Sequence, residues 1–547
     1  MTVFSYHELK NRVYHMLNEY TGQPLLGKGM GEDILRNQEE YRRMISAGIR
    51  SCCSGNYGAK ELVKELIRSY LINEVKLTEE TIQKFLPTRT PECLSSRQMF
   101  ELLIYKQDCE GDEGFLKLWR KSGWNAEQEN ITITDEMVQK LYQDVMGEIT
   151  FSDAVMVLSQ LLFADTVGLG VIDTMNQQKG CIEEIQAGMN GLVEKGYNYR
   201  ENVIEKKKGI FYSRDGVHAL VGGKTVWLQF LSFGTAEELQ RVLKNLIKDS
   251  KAGELTRQHP MIVVDTADGR RVSVSRPPAT DTWVGLIRKF DTVTKTTLDS
   301  LYMNEPDGIR LAELLRLIVR SGRNIAITGE MASGKTTLFR ACLRETRKDR
   351  NLRIIEADSF ELNVRNFLPE RNCVTMRVSD EMSPEEVLAF ARKTTGQIFA
   401  VGEISSAVVS VMMMDLAKIA TQLFFSAHYV STEQMIMDFI NAKLCVGGYT
   451  EERLAEMDVI RSLGFDIHLQ NRNGKRCIRY INEIVAEKSN STKNRCYRIN
   501  PIYRWDEEMQ KGFFCGEFSE ETVLRAKEVM TAGEFLGFMT FLHKAEV

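Results

Sequence analysis

The sequence predicts a mixed α/β chain whose C-terminal half is built on a parallel sheet. Two observations carry the parallel sheet. From about residue 296 onward, short apolar runs recur at 324–328, 352–356 and 398–401, and helical stretches lie between them; strands that alternate with helices imply parallel neighbours. A third observation places a smaller α/β domain ahead of it. Between about 149 and 295, β-prone runs are separated by the turn dipeptides Asp215-Gly216, Gly222-Gly223 and Asp268-Gly269.

In chain order, residues 1–148 read as mainly helical. In the run 59–73, Leu62, Leu66, Ile67 and Leu71 fall near helical spacing. No catalytic motif lies in this extension, so it reads as a packing accessory or a docking adaptor. The most apolar stretch of the chain, 155–172, is interrupted by Gln160 and Asp165. A spanning helix needs about 20 nearly uncharged residues, so this stretch is expected to be a buried helix followed by a loop. Runs 209–213 and 217–221 flank Asp215-Gly216 as a hairpin, and 224–231 follows the Gly222-Gly223 turn. Thr235 with Glu238 forms a capping box that opens a helix striped by Leu239, Val242, Leu243, Leu246 and Ile247. A second hairpin pairs 261–265 with 271–275, and Pro277-Pro278 breaks the domain, which closes near 295. In the last segment, 296–547, runs 465–470 and 475–487 flank Asn473-Gly474, a strong hairpin signal.

At 547 residues the chain exceeds what one core supports, as three segments require. A net charge of −4 gives no basic face and so argues against a nucleic-acid partner. The eleven cysteines are an odd number without a C-x-x-C pair, which points to reduced cytosolic thiols rather than a zinc site or a disulfide framework. The N-terminal segment is charged and lacks an apolar core, so no signal peptide is expected. A cytoplasmic protein that meets membranes only through partners is the expectation.

The chemistry concentrates at Gly329-x4-Gly334-Lys335-Thr336. Glycines let the backbone wrap a phosphate with successive N–H groups pointing inward, and the following helix offers its positive N-terminus. In this pattern the lysine reaches the β- and γ-phosphates and the Thr hydroxyl holds Mg²⁺. The ATP-binding candidates are therefore Gly329, Glu330, Met331, Ala332, Ser333, Gly334, Lys335, Thr336 and Thr337. Glu330 brings a negative charge to this loop, which is unfavourable unless its carboxylate points away. Downstream, the apolar run 398–401 leads through Gly402 into Glu403, and the run 354–355 leads into Glu356, Asp358 and Glu361. Asp358 or Glu361 would orient the attacking water while Glu403 supports the metal. His428 follows another apolar run and reads equally as a core histidine or as a group at the γ-phosphate.

These motifs, in this order, resemble those of the secretion-superfamily ATPases of type II and type IV systems, most nearly the tight-adherence (Tad/Flp) pilus assembly ATPases. The resemblance covers roughly residues 255–485. It begins at Asp265-Thr-Ala-Asp-Gly-Arg-Arg-Val272, Pro277-Pro278 and Leu286-Ile-Arg-Lys-Phe290, and continues through Gly322-Arg-Asn-Ile-Ala-Ile-Thr-Gly329. It implies a RecA-like P-loop ATPase core, a PAS-like α/β domain before it and a helical N-terminal extension. The family's acidic box would be Ala357–Leu362, its Walker B Val401-Gly402-Glu403 and its histidine box Ser426-Ala427-His428. By that analogy Glu361 activates water, Thr336 and Glu403 serve Mg²⁺ directly or through water, and His428 contacts the phosphates. Arg271 and Arg288, from a neighbouring domain or subunit, would complete the site, with Arg365 and Arg377 as weaker candidates. The resemblance further implies a homo-hexamer using ATP and Mg²⁺, working on an inner-membrane platform protein from the inner face of the membrane. This chain departs from the family pattern at Ala357, where the acidic box usually has Glu. It also has Ile404-Ser405-Ser406 where an Arg usually follows Walker B, and Thr421-Gln422 where Gly-His usually opens the histidine box. Two other readings stand beside the motor: a weakly active or inactive nucleotide-binding scaffold, and, behind it, a nucleic-acid translocase.

Overall fold

The computed structural model describes residues 5–21, 32–108, 113–124, 131–188, 216–248, 254–280, 282–290, 297–303, 307–357, 360–379, 381–472, 475–487 and 495–543. The sequence expectations for 209–213, Asp215, Asp358 and Asn473-Gly474 fall outside them. The chain divides into two compact units, 1–292 and 293–547.

In the first unit, seven strands form one sheet: β1 (Ile131–Ile133), β2 (Ile182–Ala187), β3 (Val217–Val221), β4 (Lys224–Leu228), β5 (Met261–Asp265), β6 (Arg271–Ser275) and β7 (Val284–Arg288). Their order is β1-β4-β3-β2-β7-β6-β5. β1 runs parallel to β4, and the other neighbours are antiparallel. The segment expected to be helical thus lends a strand to the sheet of the next segment. A single buried cluster runs from Leu9 to Ile287 and joins the helical extension to that sheet. The apolar stretch becomes the helix Phe151–Thr166, opened by a capping box between Thr150 and Asp153. Its polar interruptions are partnered inside the core. Asp165 accepts from Arg97 at 2.7 Å and from the Tyr6 hydroxyl at 2.8 Å, and Gln160 donates to Asp173 at 2.8 Å. Partnering of this kind is what lets such groups be buried. The Thr235 cap opens the helix Ala236–Ile247 as expected, and the expected strand at 224–231 stops at Leu228.

The second unit carries β8 (Ile325–Gly329), β9 (Leu352–Ala357), β10 (Cys373–Val378), β11 (Ile398–Val401), β12 (Gln422–Ala427), β13 (Phe465–Arg472), β14 (Lys475–Ala486), β15 (Tyr497–Asp506) and β16 (Lys511–Phe514). The order is β10-β9-β11-β12-β8-β13-β14-β15-β16. The six strands from β10 to β13 are parallel, and the last three continue antiparallel. Successive side chains of a strand point to opposite faces, and both faces here are apolar. Ile325, Ile327, Ala400 and Phe424 enter one core with the helices Gly308–Arg320 and Lys335–Glu345. Ala326, Phe399, Val401 and Phe425 enter a second core with the helices Ala407–Ala417 and Thr432–Cys445. Helices on both faces explain why the central strands read as unbroken apolar runs. This is the α/β, RecA-like P-loop arrangement, preceded by a helical N-terminal region. Among the described residues no helix is long and apolar enough to cross a membrane.

Candidate nucleotide site at the edge of the parallel sheet

Four parallel strands end along one edge of this sheet. Thr328 stands beside Ala427, Phe425 beside Val401, and Val401 beside Ile355. Gly329, Glu356, Glu403 and His428 therefore emerge at the carboxyl ends of the strands, the edge at which open α/β sheets bind ligands.

The loop after β8 takes its shape from backbone that few residues tolerate. Gly329 has φ 138° and Gly334 has φ 97°. A Cβ on Gly329 would lie 2.2 Å from the Leu469 carbonyl oxygen, so β13 itself excludes a side chain there. Ser333 is buried and donates to the Glu330 carbonyl at 2.8 Å, closing the loop. Gly334 opens the helix Lys335–Glu345 without a side-chain cap, so first-turn N–H groups face outward beside half-buried Thr336 and Thr337. Lys335 is only 8% exposed. Its ammonium donates to the carbonyls of Gly329 at 3.0 Å and Glu330 at 2.7 Å, and to His428 Nδ1 at 3.1 Å. Glu330 does point away. Its Oε1 accepts the Asn471 backbone N–H at 2.8 Å, which turns the charge toward β13. Met331, at the loop's tip, is exposed.

His428 is no core histidine. Because Nδ1 accepts from the Lys335 ammonium, the ring proton sits on Nε2, which lies 3.2 Å from Glu403 Oε1. The His428 and Glu403 side chains are 37% and 41% exposed, so this contact is wet and screened. Two bonds fix the turn that carries Glu403: Ser426 Oγ donates to the Gly402 carbonyl at 2.5 Å, and the Ile404 N–H donates to the Ser426 carbonyl at 2.9 Å. Lys335, His428 and Glu403 form one continuous chain of contacts.

Glu361 is held through its backbone. Arg340, buried on the helix after the loop, donates from Nη2 to the Glu361 carbonyl at 2.6 Å and from Nε to the Leu362 carbonyl at 3.0 Å. Glu356 Oε1 accepts the Leu362 N–H at 2.6 Å. Neither Arg340 nor Glu356 was singled out for a role by the sequence reading. The available signal was a carboxylate closing the apolar run of β9. Glu356 is 2% exposed, packs against Gly402 and has no partner for Oε2 among the described residues. Burial pushes its carboxyl up to about 8, with the nearby Glu361 adding to the shift and the Leu362 N–H opposing it.

That shift makes a stability prediction. The folded chain holds Glu356 protonated up to about pH 8, whereas an ordinary Glu releases its proton near 4.5. Between those values the folded state binds the extra proton, so stability falls as pH rises through that window and levels off above it. Glu356→Gln keeps the acceptor for Leu362 and removes the titration. The variant is expected to match the parent near pH 4.5 and to exceed its unfolding free energy at pH 9 by about 5 kcal/mol. Urea unfolding at the two pH values measures this, and an equal difference at both would refute it.

The arginine candidates are divided between the two units. Arg271 and Arg288 are register partners on β6 and β7 of the first unit. The Arg271 guanidinium stands 6.0 Å from the Phe290 ring, and Arg288 is exposed. In the second unit, exposed Arg365 donates to the Cys373 carbonyl at 3.4 Å, and exposed Arg377 lies 5.6 Å from the Phe360 ring. The glycine cradle, the buried ammonium and the uncapped helix start suit a polyphosphate. One hydroxyl at Thr336 and one carboxylate at Glu403 suit Mg²⁺, a hard ion that takes one or two carboxylates and completes its shell with water and phosphate.

Fold and loop together define an α/β P-loop protein. No protein-family profile matches the sequence, and no curated protein does. Among solved structures, the VirB11 ATPase of the Brucella suis type IV secretion system, in complex with sulphate, is 19% identical. That match covers 55% of this chain and 88% of that one, with a TM-score of 0.28. The Legionella pneumophila ATPase DotB is 14% identical over 66% of this chain and 92% of its own, with a TM-score of 0.34. The pilus retraction motor PilT, with bound ADP, is 12% identical over 65% and 85%, with a TM-score of 0.35. Likenesses at this level carry no functional weight, which falls on the residues of the site.

Proposed function

We propose that this chain binds MgATP at the loop 329–337 and hydrolyses it, acting as the motor of a pilus-assembly or secretion machine. The observation that carries the ATPase reading is the chain Lys335–His428–Glu403 at the strand ends, closed on a loop whose turn depends on the left-handed backbone of Gly329 and Gly334. Lys335 would hold the β- and γ-phosphates, and the first-turn amides of the Lys335–Glu345 helix would cradle them. Mg²⁺, held by Thr336 and Glu403, would draw off charge from the phosphate oxygens. Glu361 would take a proton from the water whose oxygen attacks the γ-phosphorus, while the bond to the β–γ bridging oxygen breaks and ADP leaves. His428, fixed by Glu403, would follow the γ-phosphate through the bond it now accepts from Lys335. Arg271 and Arg288, supplied by a neighbouring domain or subunit, would stabilise the charge of the transition state. An arginine supplied in this way is worth about 10³–10⁵ in rate elsewhere, which favours ring assembly.

On this reading the protein is a homo-hexamer in the cytoplasm, bound to the inner face of the membrane through a platform protein. The α/β segment 149–295 is its mobile half. A nucleotide-binding scaffold is the second reading, favoured by Ala357 at an expected Glu and by a Glu356 that stays protonated at neutral pH. Mg²⁺-dependent phosphate release from ATP by the purified chain, with ATP binding measured beside it, separates the two. Turnover establishes the ATPase. Binding without turnover, even with membranes that carry a platform protein, establishes the scaffold.

A further inference from the structure

Behind the nucleotide loop lies a buried polar cluster that the proposed chemistry does not use. Its centre is Asp466 on β13, fully buried. Thr328, the residue before Gly329, donates its hydroxyl to Asp466 Oδ1 at 2.5 Å. The Thr328 oxygen lies 2.9 Å from His468 Nδ1, which puts the imidazole proton on that nitrogen. Thr432 donates its hydroxyl to Asp466 Oδ2 at 2.6 Å and accepts from Asn482 Nδ2 at 2.8 Å. His468 stacks on Tyr480, with ring centroids 4.6 Å apart and planes within 6°. Thr328 and Thr432 are themselves fully buried, and His468 and Asn482 nearly so.

The placement of the two threonines is what gives the cluster meaning. Thr328 ends the run of β8 that delivers the loop and Lys335. Thr432 is the first residue of the Thr432–Cys445 helix, which begins four residues after His428. One carboxylate therefore grips the loop with one oxygen and the His428 segment with the other. A buried carboxylate is costly unless its lone pairs are filled, so the pair of threonines is held to it strongly. Burial pushes Asp466 up to about 6 and holds His468 down to about 4, so near neutral pH the carboxylate is charged and the imidazole is not. A charged acceptor roughly doubles the strength of each hydroxyl bond.

We propose that Asp466 is a positioning residue that sets His428 against Lys335 by holding Thr328 and Thr432 on the two oxygens of one buried carboxylate. The proposal rests on the nucleotide reading of the loop. Its test is Thr432→Val, which keeps the side chain's shape and cuts the arm to the His428 segment together with the bond from Asn482, with Thr432→Ser as the variant that restores the hydroxyl. The expected result is a kcat for ATP hydrolysis lowered about tenfold in Thr432→Val, with KM and ATP affinity within about threefold of the parent. Thr432→Ser is expected to recover kcat. Asp466→Asn, where it folds, is expected to lose at least as much. A change confined to thermal stability, a loss shared equally by kcat and affinity, or a loss that Ser fails to restore would overturn the proposal alone. A parent without turnover would overturn it together with the hydrolysis reading.

Discussion

Lys335→Ala is expected to abolish measurable ATP turnover and to weaken ATP binding, while the protein stays folded. The ammonium is one of the most confined charges of the site, and three acceptors share it: two loop carbonyls and the imidazole of His428. Removing it takes away the positive charge aimed at the phosphates and also takes a donor from all three acceptors, of which the Glu330 carbonyl keeps the Ser333 hydroxyl. Loss of one preorganised donor to a developing negative charge costs about 10²–10³ in rate, and the lost loop bonds add to that through a less ordered loop. Arginine is a poor substitute. Its planar guanidinium is bulkier than an ammonium and binds phosphate as a fork rather than as a point charge. It would also have to fit where the present group is 8% exposed. Lys335→Arg is therefore expected to resemble Lys335→Ala in turnover. Phosphate release and calorimetric titration with ATP check both variants. ATP affinity equal to the parent's in Lys335→Ala would place the nucleotide somewhere other than this loop.

The parts of this chain that were legible in its sequence are those whose physics is local. The loop 329–334 could be read because glycine positions, lysine and threonine sit within a few residues of each other. The strands β8, β9 and β11 could be read because helices cover both faces and leave no polar alternation. The β5–β6 turn was legible through Asp268-Gly269. What could not be read depends on long-range pairing. The three residues of β1 are β-prone but too few to read as a strand until β4 pairs with them. Thr328 and Asp466 are 138 residues apart, and each reads alone as an ordinary polar residue at a strand end or in a half-buried strand. Glu330 looked like a misplaced charge because its partner, the Asn471 N–H, lies 141 residues away. Arg340 looked like one more polar position on a helix, although it fixes the backbone at Glu361. The convergence of Lys335, Glu403 and His428 needed the strand order β11-β12-β8, which no spacing in the sequence encodes.

Glu361→Gln is expected to separate binding from chemistry, keeping ATP affinity near the parent's and lowering kcat by about 10²–10⁴, the range lost with a general base. The amide has the carboxylate's size but cannot take a proton from water. Glu403→Gln makes the contrast. If Glu403 serves Mg²⁺ and fixes His428, its loss is expected to raise the Mg²⁺ concentration needed for half-maximal turnover, which Glu361→Gln leaves unchanged. The position of Glu361 depends on Arg340, whose two donors hold successive carbonyls of its segment. Lysine cannot form that fork, so Arg340→Lys is expected to lose part of the same kcat without the full loss of Glu361→Gln. In the double variant Arg340→Lys/Glu361→Gln the arginine is expected to matter little, since the group it positions no longer acts; two effects that instead multiply would show that Arg340 works independently of Glu361. Turnover of Glu361→Gln close to the parent's would remove this residue from the chemistry. The proton would then have to go to another group, and Glu356, neutral below about pH 8, is unsuited to accept it at neutral pH.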